Sequence, residues 1–174
     1  MNSYFKRLFA PWRLEYVMAN KPKSNECLFC DKIKEKKDRE NGIIAYSTTC
    51  YVLLNRYPYV NGHIMVAPSR HIKEVWSLTA DESDDFFKTV KIAARALEDA
   101  YHPSGMNIGM NIGEAAGAGV AGHLHCHLIP RWVGDTSFIS VISDVRMIME
   151  TLEMTYDKLR PLFLSSGLSE KRNC

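Results

Sequence analysis

Two kinds of apolar spacing alternate along the chain. Gly42 to Ser47 and Cys50 to Asn55 are short runs rich in β-branched and aromatic residues, parted by Thr48 and Thr49, and predict a β-hairpin. His63 to Pro68, HIMVAP, predicts a third strand after the turn-forming YPYVNG. The spacing then changes. Phe86, Val90, Ala93, Ala94, Leu97 and Tyr101 fall on one helical face. Thr79 with Glu82 three residues on has the pattern of a capping box, and acids crowd the first turn. Pro103 and Gly105 stop that helix. Met106 to Gly113 and His123 to Pro130 read as a fourth and a fifth strand. A last helix is expected from Ser143, with Val145, Ile148, Met149, Leu152, Tyr156 and Leu159 inside, ending before Pro161. The sum is an α+β domain: a mostly antiparallel five-stranded sheet with two main helices.

A chain of 174 residues suits one domain with its own core. Residues 1–26 mix aromatics, basic residues and prolines and read as an arm over a domain at 27–164; the polar stretch 165–174 reads as a flexible tail. A formal net charge of +2 is too small to argue for nucleic acid as a partner, and no apolar run approaches a membrane span. Pro11 and Arg13 interrupt the N-terminal apolar residues, so no signal peptide is expected there. Five cysteines without an export signal read as reduced thiols or metal ligands of a cytoplasmic protein.

The chemistry concentrates in GHLHCHLIPRW, Gly122 to Trp132. His123, His125 and His127 alternate. On a strand they share a face, roughly 6.5–7 Å apart, while Leu124, Cys126 and Leu128 face a core. One reading is an exposed sheet face that carries histidines by chance. A second is a three-histidine zinc site that activates water. A third is a nucleophilic histidine between two that bind an anion. The preceding NIGEAAGAGVAG favours the third, because a glycine-rich loop can bring backbone N–H groups to phosphate oxygens. It lacks the lysine of a P-loop.

HLHCHLI resembles the His-φ-His-φ-His-φφ signature of the histidine-triad (HIT) superfamily, with Cys126 at one hydrophobic position. LLNRYPYVNGHIMVAP resembles that family's strand–turn–strand, and NIGEAAGAGVAGHLHCHLIPRWVGD its loop, triad and exit. APWRLEY and PRWVGDTSF look most like the branch of bacterial diadenosine polyphosphate hydrolases and phosphorylases. The resemblance implies a nucleotide substrate, with His125 attacking the α-phosphorus to form a nucleotidyl-imidazole. It implies His123 and His127 as flanking charge stabilisers, and His63 as the buried histidine that orients the triad. Asn55 would contact ribose and Asn111 phosphate. Gly117, Gly119 and Val120 would offer backbone donors. Phe29 and Ile33 suit either a purine wall or core packing. The family also pairs two sheets into a homodimer, which an unpaired edge at 106–113 would allow.

Cys27 and Cys30, CLFC, have metal or redox spacing, or are two buried thiols. The resemblance implies a closed structural zinc set of Cys27, Cys30, His71 and His123, and no cofactor for the chemistry itself. Four functions stay in view: nucleotidyl transfer from dinucleoside polyphosphates to water or phosphate, hydrolysis of nucleoside phosphoramidates, a nucleotide-binding regulatory module with incidental turnover, and zinc hydrolase chemistry by the triad itself.

Overall fold

Five strands form one sheet in the order β1-β2-β3-β5-β4, every neighbouring pair antiparallel. They are β1 (Ile43–Tyr46), β2 (Cys50–Leu54), β3 (Ile64–Pro68), β4 (Gly105–Met110) and β5 (Cys126–Arg131). The structure is a computed structural model and describes residues 27–135 and 148–171. The expected arm at 1–26, and the start of the last helix expected at Ser143, lie outside the described residues.

β1, β2 and β3 are continuous apolar runs because both of their faces are covered. Along β2, Cys50, Val52 and Leu54 point to one cluster, and Tyr51 and Leu53 to another. The first cluster packs under α3 (Ala80–Tyr101) and α4 (Leu152–Ser165). The second packs under α1 (Leu28–Lys34) through Phe29 and Ile33, with α2 (Asp38–Asn41) following. β5 obeys the same rule: Cys126 and Leu128 join the α3 side. Its histidine, His127, is thereby left on the α1 side.

The capping box of α3 is formed: Thr79 accepts from the Glu82 backbone and the Glu82 carboxylate accepts from the Thr79 N–H. Asp85 on α3 accepts from Ser47 Oγ, Thr49 N and Thr49 Oγ1 at 2.7–2.8 Å, so the hairpin turn is tied to the helix. The helix ends at His102, in the left-handed region at φ 42.

Three boundaries differ from expectation. β4 stops at Met110, where the chain leaves for the loop. β5 starts at Cys126 rather than His123, because the Leu124 N–H turns to the Ile72 carbonyl at 2.6 Å. The last helix starts at Leu152 and runs through Pro161. Before it, Ile148 and Met149 are outside the helix and solvent-exposed, and Asn61 Oδ1 accepts from Met149 N. Thr151 supplies the cap. Proline removes one helical bond, but Leu159 and Phe163 on either side are fully buried, and Arg160 holds the Ile44 carbonyl at 2.9 Å. Packing outweighs the local penalty. Beyond the helix, Leu168 is buried and Ser169 exchanges backbone hydrogen bonds with Tyr46. Among the described residues no helix is long and apolar enough to cross a membrane.

Candidate active site

The sheet register builds the site. His127 on β5 stands opposite Met65 on β3, which stands opposite Leu53 on β2. Met65 and Leu53 floor an open cleft of about 950 Å³, its mouth to solvent included. Leu28, Phe29 and Lys32 of α1 wall one side, and Asn111, Gly117, Gly119 and Val120 another. His125 and His127 line it, as do Asn55, Arg56, Tyr57 and Tyr59 from the strand–turn–strand. Asn55, Asn111, Gly117, Gly119, Val120, His125 and His127, all expected to contact nucleotide, therefore share one cleft. His123, His63 and His71 are not in its lining.

Each ring of the triad has its tautomer set by a hydrogen bond. His125 Nδ1 donates to the His123 carbonyl at 2.8 Å, which leaves the Nε2 lone pair free. The Tyr59 N–H donates to His63 Nδ1 at 3.2 Å, so His63 carries its proton on Nε2. That Nε2 donates to His127 Nδ1 at 2.9 Å. His127 therefore carries its own proton on Nε2. The cleft is lined by one imidazole with a lone pair beside one with an N–H, their rings 4.9 Å apart and edge-on.

His123 faces elsewhere. Its Nε2 donates to the Pro68 carbonyl at 2.9 Å, and its Nδ1 approaches Cys27 Sγ at 3.2 Å and Cys30 Sγ at 3.6 Å. Both nitrogens are engaged, so its ring offers no donor to the cleft. Its contribution there is its carbonyl. Gly117 differs from expectation for a similar reason: its N–H closes a 3-10 turn onto Glu114 O at 2.9 Å, with φ at 81. A backbone donor for an anion is left to Gly119 and Val120. Asn55 combines two roles, accepting from Tyr57 N as a turn residue and placing its amide 3.3 Å from both nitrogens of His63.

Phe29 stacks on His123 and His125 at ring distances of 5.0 and 4.9 Å. Its carbonyl accepts from the buried Tyr51 hydroxyl at 3.0 Å. Ile33 packs in the apolar cluster beneath α1 and does not line the cleft. Sequence reasoning missed Lys32, which belongs to no motif, and gave no role to Arg56, Tyr57 and Tyr59 within the strand–turn–strand. The Tyr59 contribution is a backbone N–H, invisible in residue identity.

Cys27, Cys30, His71 and His123 place one ligand atom each within 4.8 Å of one another. Cys30 Sγ lies 3.4 Å from His71 Nδ1. Tetrahedral zinc with bonds of about 2.0–2.3 Å has ligand edges of about 3.5 Å, so the donor set and spacing both fit. The Pro68 carbonyl on His123 supplies the outer hydrogen bond that aims a ligating imidazole. Burial and then Cys27 raise the Cys30 thiol to about 11, so binding a cation there would displace its proton.

Burial lowers His63, His123, His125 and His127, leaving these four neutral at pH 7. The bond to the His123 carbonyl opposes burial at His125. His127 falls to about 4, by burial and then His125. His63 falls to about 3, by burial and then His127.

A HIT domain family matches residues 36–133. The AP-4-A phosphorylase of Mycobacterium tuberculosis is 35% identical over 157 residues, covering 86% of this chain and 80% of that protein. The bis(5'-adenosyl)-triphosphatase of Saccharomyces cerevisiae is 38% identical over 90 residues, 49% of this chain and 43% of that protein. Among solved structures, a Zn-bound histidine triad family protein of Mycobacterium smegmatis superposes with a TM-score of 0.64 at 24% identity, over 81% of this chain and 95% of that one, a likeness of fold.

The depressed histidines make stability pH-dependent. The unfolded chain, with imidazoles near 6.5, takes up protons before folded His127 and His63 do. Stability present above pH 6.5 therefore declines as pH falls toward about 4. Urea midpoints measured from about pH 7.5 to about pH 4.5 should drop across that window. His127→Gln should flatten part of the drop; an unchanged slope in that variant contradicts the assignment.

Proposed function

The chain belongs to the HIT domain family, and from that footing we propose that it cleaves dinucleoside polyphosphates at the α-phosphate through a covalent nucleotidyl intermediate on His125. The observation that carries the reading is the paired tautomer state in the cleft: a lone pair on His125 Nε2 beside an N–H on His127 Nε2.

The His125 lone pair forms a bond to the α-phosphorus, and the phosphoanhydride P–O bond breaks to release the remaining nucleotide. The His125 ring then carries positive charge. Its Nδ1–H, already on the His123 carbonyl, needs no rearrangement to stabilise it. His127 Nε2–H and the Gly119 and Val120 N–H groups lie where they can donate to phosphate oxygens. Water or inorganic phosphate then attacks the phosphorus, the P–N bond breaks, and neutral imidazole returns. His63 acts through His127 by holding its tautomer. Asn55 and Asn111 contact ribose and phosphate in this reading. Cys27, Cys30, His71 and His123 hold a structural zinc, which fastens α1 and its Phe29 over the triad and takes no part in bond making.

β4 is the free edge of the sheet, with Ile108 exposed. We propose that two copies pair there, since an open apolar edge invites a second strand. A monomeric mass by light scattering at micromolar concentration contradicts this.

His125→Ala should lower turnover of diadenosine tetraphosphate on the order of 10⁴-fold or more, the scale for removing a nucleophile. AMP binding should change by less than about tenfold. His127→Ala should raise the barrier by about 2–4 kcal/mol, the loss of one preorganised donor. Near-normal turnover by His125→Ala in steady-state assays refutes the mechanism.

Metal analysis of protein purified without chelators should find about one zinc per chain. Cys27→Ser should lose the zinc and lower the urea midpoint, while activity per folded molecule falls less. Metal-free protein of full stability removes the zinc assignment.

A further inference from the structure

Two cations in the cleft have no part in the chemistry above. Lys32 projects from α1, and Arg56 follows the end of β2, two strands from β5. No carboxylate lines the cleft among the described residues. Arg56 is exposed and forms no ion pair among the described residues. Lys32 is half-buried and donates one N–H to the Asn41 carbonyl at 2.6 Å, which leaves further donors on the ammonium. Burial and then the nearby Arg56 charge lower the Lys32 pKa, with Glu35 opposing them, so the two cations that line the cleft repel each other. Glu35 lies outside the cleft lining and is held by the Asn41 amide at 2.8 Å. Like charges converging on an open cavity cost energy in the free protein and repay it when an anion enters. Arginine's planar fork matches phosphate oxygens, and lysine adds a point charge.

We propose that Lys32 and Arg56 form a second anion subsite of this cleft, for a phosphate group other than the one beside His125. The subsite rests on the reading of the cleft as a nucleotide site. Its occupant has two sources with one chemistry: a further phosphate of the bound polyphosphate chain, or free inorganic phosphate that resolves the intermediate. The first would set a preference for longer chains. The second would favour phosphorolysis over hydrolysis.

The test reads binding, so it is independent of turnover. AMP and ATP are titrated calorimetrically into wild-type protein, Arg56→Lys, Arg56→Gln and Arg56→Glu; inorganic phosphate is titrated into each at saturating AMP. Arg56 is exposed, so circular dichroism and urea midpoints should match wild type in all three variants. If the chain fills the subsite, ATP binds wild type about tenfold tighter than AMP. Arg56→Glu erases that ratio, Arg56→Gln reduces it and Arg56→Lys keeps most of it. If free phosphate fills it, phosphate binds beside AMP in wild type and not in Arg56→Glu. The subsite is overturned if ATP and AMP bind wild type alike and phosphate does not bind. Equal weakening of AMP and ATP by Arg56→Glu and Arg56→Gln overturns it too, since Arg56 would then only shape the cleft. Protein that shows the ATP ratio yet never turns over diadenosine tetraphosphate would refute the proposed reaction and leave the subsite standing.

Discussion

The His125 Nδ1–H bond to the His123 carbonyl, 2.8 Å long, is the contact on which the site depends. Donor and acceptor are two residues apart, so backbone conformation alone fixes the tautomer. The bond leaves the other nitrogen with a lone pair, the nucleophile of the proposed reaction, on a neutral ring. In the proposed reaction it would also stabilise the positive charge that the ring acquires on bonding to phosphorus. His127 is set by an analogous relay through His63 to the Tyr59 backbone N–H. The two imidazoles thus carry opposite polarity side by side although they are chemically identical residues.

The same His123 joins the catalytic strand to α1. Its carbonyl serves His125, its Nε2 holds the Pro68 carbonyl, and its Nδ1 meets the Cys27 and Cys30 sulfurs. Helix α1 is only seven residues long and would not hold itself in water. It is kept in place by Phe29 and Ile33 against the sheet, by the Tyr51 hydroxyl, and by the contacts of Cys27 and Cys30 with His123 and His71. A wall of the cleft is therefore built on a weak helix secured from behind.

Much of this was legible in residue order, because the controlling physics was local. The triad alternation, the α3 capping box and the hairpin depend on neighbours a few residues apart. The Cys27–Cys30–His71–His123 cluster followed from family resemblance, and the fold brings those residues together across 96 positions of sequence between Cys27 and His123. What sequence could not carry was set by long-range contacts. Pro161 signals a helix end, yet the burial of Leu159 and Phe163 carries the helix through. His123 resembles a catalytic flank, but its ring turns to the cysteines. Gly117 resembles a phosphate donor, but its N–H closes its own turn. Lys32 belongs to no motif and Arg56 has no assigned role within the strand–turn–strand; they share a cleft only because α1 and the end of β2 both wall it.

The most direct test is to look for the bond itself. Wild-type protein mixed with diadenosine tetraphosphate labelled at the α-phosphate is quenched within milliseconds and digested, and the labelled peptide is mapped. The account predicts an adenylyl group on His125, labile in acid and stable in base as a nitrogen–phosphorus bond should be, formed and consumed at rates that match turnover. Label on another residue, or turnover with no adduct and inverted configuration at phosphorus, would contradict it.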